Sequence, residues 1–509
     1  MDLSDLIERN AAFGPDKPAV RFESRELTYG NFALRIAAMA RGLKSELSVG
    51  RGDRVAILAA NDPDYLVLLY ACARLGALLV PLNWRLAPAE QLFILADASV
   101  KVLVVEEAFT AVVGPLTAAL PGARVVGLGC SPDGAASIDD VIAAGAGDGR
   151  NPHVDLAAPL LVVYTSGTTG RPKGAVLRQD ALVWNAAMSQ HMHDMTSADH
   201  ILTVLPLFHV GGLNIQTTPA LQIGATVTLH ARFAPAATLT ALADDKPTLT
   251  VLVPATLQAL IEHPQWAQTD ISSLRAVTTG STQVPQALVD PIDGRGIPVL
   301  QVYGATETCP IAIYTRLGGD WRRPGSTGLP GLHCEATVVD SSLLEVPHGT
   351  PGEVVVRGPN VFFEYWGNEA ATAEALRDGW YYSGDIATRD QDGHFFIHDR
   401  KKNMIISGGE NIYPAEVERV LLTHPAIAEA AVIGRADPRW QEIPVGCVVL
   451  RAGMSVAPAE IESFCLGHLA RYKVPRSYVF CDNLPRNAMG KVQHFLLKQD
   501  VLLKQDGGS

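Results

Sequence analysis

The feature that most constrains this chain is its alternation of short apolar strands with helices. Residues 53–61, DRVAILAAN, are a run of small and branched apolar side chains that reads as a strand. Asp62 then stands where a helix cap belongs, Pro63 at the first helical position and Gly76 where the helix ends. Leu66, Leu69, Tyr70 and Ala73 recur at helical spacing, which predicts one buried face. The next strand is 77–82, ALLVPL. The stretch 65–84 is the most membrane-like of the chain. Arg74, Gly76 and Pro81 interrupt it, so a buried helix and a strand are expected there rather than a bilayer span.

The same rhythm returns in HILTVLPLF to ATVTLH, in TLTVLVP to ATLQALIEH, and in the strands 274–280 and 297–304. Units of this size build parallel sheets with helices on both faces, an α/β architecture. Ligands of such sheets sit beyond the carboxyl ends of the strands, which directs attention to the loops at Gly280 and Gly304. The Ala/Gly-rich stretch 135–149 reads as a surface loop. Past Arg400 the texture changes to a smaller α+β unit, with helices in YPAEVERVLLTH and PAEIESFCLGHL and strands in AIAEAAVIG, EIPVGCVVL and SYVFCD. At 509 residues the chain is too long for one core. The expected division is a large domain over 1–399 with parallel-rich sheets, a hinge at 400–403 within the charged and glycine-paired run HDRKKNMIISGGEN, and a small mobile domain over 404–509.

A net charge of −12 argues against nucleic acid as the main partner. Seven dispersed cysteines without metal spacing suit a reducing compartment, and MDLSDLIERNAAFG is acidic where a secretory signal would be basic. A cytoplasmic protein without a transmembrane segment is expected.

The chemistry is signalled first by YTSGTTGRPKGAV at 164–176, glycine- and hydroxyl-rich with Lys173 near its end. Backbone N–H groups can cradle an anion closely only where side chains are small. The spacing is not that of the common nucleoside-triphosphate loop, which places Gly-Lys directly before Ser or Thr. Four further motifs follow in order: YGATET at 303–308, WYYSGD at 380–385, DRKKNMIISGGENIYPAEVE at 399–418 and PRNAMGK at 485–491. Together they resemble the adenylate-forming superfamily of acyl- and aryl-CoA synthetases, peptide-synthetase adenylation domains and beetle luciferases. The resemblance runs over nearly the whole chain and is most like that of bacterial free-standing fatty-acid or acyl-CoA ligases.

What the resemblance implies is a reaction in two halves. A carboxylic acid attacks the α-phosphate of ATP to give acyl-AMP and pyrophosphate; the thiol of coenzyme A then attacks the acyl carbon and releases AMP. Thr165, Ser166, Gly167, Thr168, Thr169, Gly170 and Lys173 would hold the phosphates. Glu307 would bind Mg²⁺, a hard cation suited to carboxylate and phosphate oxygens. Thr306 would meet the α-phosphate. Tyr303, Gly304, Ala305, Gly280 and Ser281 would flank adenine, while Asp385 with Arg400 would take the ribose. Lys491 would bridge the attacking carboxylate and ATP, offsetting their repulsion. Lys402 stands at the hinge position, and Gly408 and Gly409 would leave a tunnel for pantetheine. His209 resembles the gate between ATP and acid, with Gly211, Gly212 and Thr279 around the acid. Neutralisation of Lys491 by a lysine acetyltransferase would silence adenylation.

Two departures stand out. The adenine loop reads Thr279-Gly280-Ser281 where many relatives have Gly-Gly-Ala, and Tyr382-Ser383-Gly384-Asp385 lacks a usual arginine. A medium- or long-chain fatty acid is the first expectation for the acid and an aryl acid the second. Delivery to a carrier protein, a non-catalytic nucleotide-binding role and a light-emitting oxygenase are the competing readings, and a homodimer, common among relatives, is left open. HMHD at 191–194 offers two histidines at what reads as an exposed helix end, without a third metal ligand.

Overall fold

The computed structural model describes residues 1–165, 172–280, 284–319, 322–407, 410–486 and 492–499. The chain divides into two compact units: Met1–Ala336 with Val356–Tyr382, and Thr337–Val355 with Ser383–Ser509.

The first unit is built on two large mixed sheets. In one, the strands Val299–Tyr303, Ala276–Gly280, Leu249–Val251, His200–Thr203, Thr226–Leu229 and Pro18–Phe22 lie side by side and parallel. Short antiparallel strands close both edges, Ile313–Tyr314 and Leu329–Pro330 at one and Arg25–Thr28 at the other. In the second sheet Pro159–Thr165, Leu78–Pro81, Arg54–Leu58, Val102–Glu106 and Arg124–Leu128 run parallel, and Lys173–Arg178 and Glu364–Tyr365 extend it antiparallel.

The 53–82 unit forms as its sequence predicts. Asp62 accepts a hydrogen bond from the Asp64 N–H at 2.8 Å, the helix runs Pro63–Leu75, and Gly76 ends it at φ +72°. Burial goes further than the spacing indicates: every residue of that helix except Arg74 is buried, so it packs on all sides. Full burial of a Leu or Val side chain is favourable by about 1.5–3 kcal/mol, which makes this helix a principal anchor of the core. Among the described residues no helix is long and apolar enough to cross a membrane.

The expected surface loop at 135–149 contains the helix Ile138–Ala144 instead. Ser137 and Asp140 form a capping box, with the Asp140 N–H donating to Ser137 Oγ at 3.1 Å and the Ser137 N–H to Asp140 Oδ2 at 2.9 Å. The helix docks where Gly42 lets backbones meet, since a Cβ there would lie 2.1 Å from the Val141 carbonyl oxygen.

The second unit holds a mostly antiparallel sheet in the order Glu410–Ile412, Ile405–Ser407, Gln441–Leu450 and Ile427–Asp437, with Ser477–Phe480 added parallel to Gln441–Leu450. The helices Pro414–Leu422 and Pro458–Leu466 contribute Val417, Leu421 and Ile461 to its core. The strand Phe395–Arg400 passes into a 3₁₀ turn, Lys401–Asn403, at the expected hinge.

Candidate active site

The ends of the glycine-rich loop are fixed by pairing. Thr165 stands opposite Lys173 across the antiparallel strands, and its hydroxyl donates to the Lys173 carbonyl at 3.4 Å. Ser166, Gly167, Thr168, Thr169 and Gly170 lie outside the described residues. Gly174 has no room for a side chain: a Cβ would come within 2.7 Å of Val162 Cγ1.

Strand Val299–Tyr303 delivers the next motif to the carboxyl edge of its sheet. Tyr303 ends the strand half-buried. A Cβ on Gly304 would stand 1.6 Å from the Pro310 carbonyl oxygen, so only glycine fits. The Ala305 N–H donates to Thr308 Oγ1 at 2.9 Å and tightens the 3₁₀ turn Thr306–Thr308. Thr306 and Glu307 are both buried in that turn.

The Glu307 Oε1 accepts a hydrogen bond from the Tyr365 hydroxyl at 2.6 Å, and the Phe362 N–H donates to the Glu307 carbonyl at 2.7 Å. Lys173 Nζ lies 5.2 Å from the centroid of the Tyr365 ring. Phe362 packs against Tyr365 and Tyr381, ring centroids 4.7 and 5.7 Å apart. The fold thus brings Lys173 and Glu307 together through Tyr365, which sequence reasoning passed over. Its signal was the aromatic cluster FFEYW at 362–366.

Gly280 ends the neighbouring strand, where a Cβ would meet the Val302 carbonyl oxygen at 2.3 Å. Thr279 beside it is fully buried, and Ser281 lies outside the described residues. His209 caps the short helix Val210–Gly212, its Nδ1 accepting the Gly211 N–H at 3.3 Å. The neutral ring therefore carries its proton on Nε2, and desolvation pulls the imidazole down to about 4. A Cβ on Gly211 would meet only His209 Nδ1, at 3.6 Å, whereas one on Gly212 would clash with the Pro206 carbonyl at 2.3 Å. Gly212 therefore serves the close turn, and Gly211 is the glycine that leaves space.

His191 and His193 do not converge. The His191 ring bonds the Tyr314 hydroxyl at 2.8 Å; His193 is fully buried rather than exposed, bonding the Ser189 carbonyl and the Thr278 hydroxyl, each at 2.7 Å. Among the described residues no group of three His, Cys, Asp or Glu side chains is placed to hold a metal ion. A buried carboxylate such as Glu307, with phosphate oxygens completing the shell, still fits Mg²⁺.

In the second unit Asp385 and Arg400 sit opposite each other across paired strands, and Arg400 Nε meets Asp385 Oδ1 at 2.6 Å. The Ser383 hydroxyl donates to the Val354 carbonyl at 2.6 Å and accepts the Asp385 N–H at 3.1 Å. Asp399, also passed over, accepts from the Arg400 N–H at 2.6 Å, Asn403 Nδ2 at 3.1 Å and the Ala415 N–H at 2.8 Å. Lys402 lies in the turn these bonds fasten. Gly408, Gly409 and Lys491 lie outside the described residues.

Residues 7–366 match the family model of AMP-binding enzymes, and 416–491 that of the AMP-binding enzyme C-terminal domain. The chain is 47% identical over 506 residues to an indoleacetate–CoA ligase of Aromatoleum aromaticum, covering 99% of each. It is 41% identical over 486 residues to a feruloyl-CoA synthase of an Amycolatopsis species, covering 95% of this chain and 96% of that protein. Among solved structures it resembles the o-succinylbenzoate CoA synthetase of Bacillus subtilis bound to its acyl-adenylate intermediate, with a TM-score of 0.87, 31% identity and 98% of each chain covered. The same synthetase with ATP and magnesium ion gives a TM-score of 0.86 at 31% identity, covering 98% of this chain and 99% of that one.

Proposed function

The chain belongs to the AMP-binding enzyme family, and from that premise we propose that it is a CoA ligase for aryl acids, of the kind in which an aromatic ring carries a short acid-bearing arm. It is an ATP-dependent acid:CoA ligase that forms acyl-AMP and uses ATP, Mg²⁺ and CoA. The observation that carries the aryl reading is the 47% identity to an indoleacetate–CoA ligase over 99% of both chains. The fatty acid expected first from the sequence gives way to the second expectation.

In the reading proposed here, an aryl carboxylate oxygen attacks the α-phosphorus and the bond to the β-phosphate oxygen breaks, releasing pyrophosphate. The CoA sulfur then bonds the acyl carbon as AMP departs and the thiol proton is lost. Thr165, the 166–170 loop and Lys173 hold the phosphates; Thr306 meets the α-phosphate. Glu307 holds Mg²⁺, which when bound neutralises phosphate charge. Tyr303, Gly304, Ala305, Gly280 and Ser281 flank the base, and Asp385, oriented by Arg400, accepts the ribose hydroxyls. Lys491 offsets the repulsion of carboxylate and ATP. Lys402 is the hinge between steps, after which Gly408 and Gly409 line the thiol's path. His209, neutral at working pH, Gly211 and Thr279 border the acid. A cytoplasmic location suits seven free thiols and two cytoplasmic co-substrates.

The test is an acid panel with ATP, Mg²⁺ and CoA, scoring AMP, pyrophosphate and acyl-CoA. Indole-3-acetate, phenylacetate or a hydroxycinnamate is expected to give the highest kcat/KM. Greater efficiency with octanoate to palmitate would overturn the aryl reading.

A further inference from the structure

Glu307 is a buried carboxylate at 7% exposure, and a buried ionised group must be held by directed hydrogen bonds or charges. The Tyr365 hydroxyl supplies such a bond to the side chain, while the Phe362 N–H, from the same segment, donates to the Glu307 carbonyl and fastens the main chain. At 2.6 Å the phenol–carboxylate contact is a short, charge-assisted bond. It occupies Oε1 and so fixes which way the plane of the carboxylate turns, presenting Oε2 as the oxygen for a hard cation.

The same ring carries the ammonium of Lys173. Tyr365 lies directly opposite Ala175 across the paired strands, and Ala175 shares a strand face with Lys173 two residues away. Strand pairing therefore seats the lysine over the ring, where Nζ is 5.2 Å from the centroid. A cation over an aromatic face draws electron density from it and makes the phenolic hydroxyl a stronger donor. The lysine at the end of the phosphate loop, carried by the seven-stranded sheet, is thereby coupled to a glutamate carried by the nine-stranded one.

We infer that Tyr365 is a positioning residue that sets Glu307 for Mg²⁺ and couples it to Lys173 when the metal nucleotide binds. This rests on the reading of Glu307 as the cation's carboxylate. The role calls for a tyrosine in particular: phenylalanine keeps the seat of the lysine and loses the bond to the glutamate, and leucine loses both.

The experiment is a Mg²⁺ titration of fluorescent N-methylanthraniloyl-ATP binding, without acid or CoA, on the full-length parent and on Tyr365→Phe, Tyr365→Leu and Glu307→Gln. Loss of one hydrogen bond to a charged group predicts that Tyr365→Phe raises the half-saturating Mg²⁺ about tenfold while Mg²⁺-free nucleotide affinity stays at the parental value. Tyr365→Leu is expected to weaken Mg²⁺-free binding as well, because Lys173 loses its seat. Glu307→Gln should abolish the Mg²⁺ dependence. If it does and Tyr365→Phe overlays the parent, the inference is overturned while the metal role of Glu307 stands. If Glu307→Gln titrates like the parent, that role fails and the inference with it. Equal weakening of Tyr365→Phe with and without Mg²⁺ would reduce the tyrosine to a packing residue and also overturn the proposal.

Discussion

The two units hold their functional groups by different physical means. In the first, the strand ends that carry Glu307, Tyr303 and Thr279 are packed backbone against backbone, so Gly304 and Gly280 tolerate no Cβ. In the second, Gly384 beside Asp385 has a left-handed φ of +69° and open space around it, and Asp385 is oriented by an ion pair to a partly exposed arginine. Exclusion places the strand ends of the first unit, where polar bonds such as Tyr365 to Glu307 then orient the side chains; directed polar bonds alone place those of the second. Substitutions at the packed glycines of the first should therefore abolish binding or folding, whereas those at the polar contacts of the second should redistribute rate between the two half-reactions.

The largest expected effect tests that contrast directly. Gly304→Ala puts a methyl carbon 1.6 Å from the Pro310 carbonyl oxygen, an overlap relieved only by moving the turn that carries Glu307. Loss of the folded protein or of all ATP–pyrophosphate exchange is expected. Gly384→Ala meets only the strain of a positive φ, about 1 kcal/mol, and should remain folded and active. Melting curves and exchange assays on the pair decide it; similar behaviour of the two would dissolve the contrast. Next in size, Lys491→Ala should cost on the order of 10²–10³ in acyl-adenylate formation. Thioester formation from supplied acyl-AMP and CoA should continue at the parental rate. An equal loss in both halves would place the lysine outside the adenylation step.

These contrasts also show where sequence reading stops. The cap, proline and glycine around the helix Pro63–Leu75 were legible because each acts within a few residues. The pairing of Asp385 with Arg400 was legible only through motif order, since two strands bring them together. Tyr365 and Asp399 act on partners far along the chain or through main-chain donors, and their composition carries no mark of that. The helix Ile138–Ala144 was concealed by alanine and glycine, although Ser137 and Asp140 had the spacing of a cap. His193 was misplaced at the surface because local polarity outweighed a helical face that turns inward.

His193 supplies a pH test within the first unit. Its Nδ1–H donates to the Ser189 carbonyl, so in the neutral ring Nε2 is an acceptor, facing the Thr278 hydroxyl at 2.7 Å and the Gln216 amide nitrogen at 3.1 Å, and protonation would set an N–H against that amide. Desolvation pulls the imidazole from 6.5 down to about 4. Between those values the unfolded chain binds the proton and the folded chain does not. Stability is therefore fully present above 6.5 and falls as pH drops toward 4, by at most about 3 kcal/mol from this residue. His193→Gln should flatten the decline of Tm with pH in that window, whatever it costs at neutral pH. An unchanged slope would mean that the folded ring takes up its proton without penalty.

The smallest expected effect is the sharpest test of the second unit. The Asp399 carboxylate receives three donors: the Arg400 N–H, the Asn403 amide and the Ala415 N–H in the first turn of Pro414–Leu422. It therefore ties the turn that contains Lys402 to a helix N-terminus, where a negative charge is also favoured by the helix dipole. Asp399→Asn keeps the shape but offers one acceptor oxygen, so at least one arm is lost and an NH₂ group faces an N–H. If domain alternation pivots at Lys402, loosening this clip shifts the balance of the two positions. The ratio of adenylation to thioester-forming rates should then change by about tenfold, the scale of one hydrogen bond to a charged group. Asn403→Ala removes one arm without disturbing the helix end and should move the ratio in the same direction by less. Equal slowing of both half-reactions in Asp399→Asn would assign the carboxylate to helix capping alone, and the pivot would have to be sought away from Lys402.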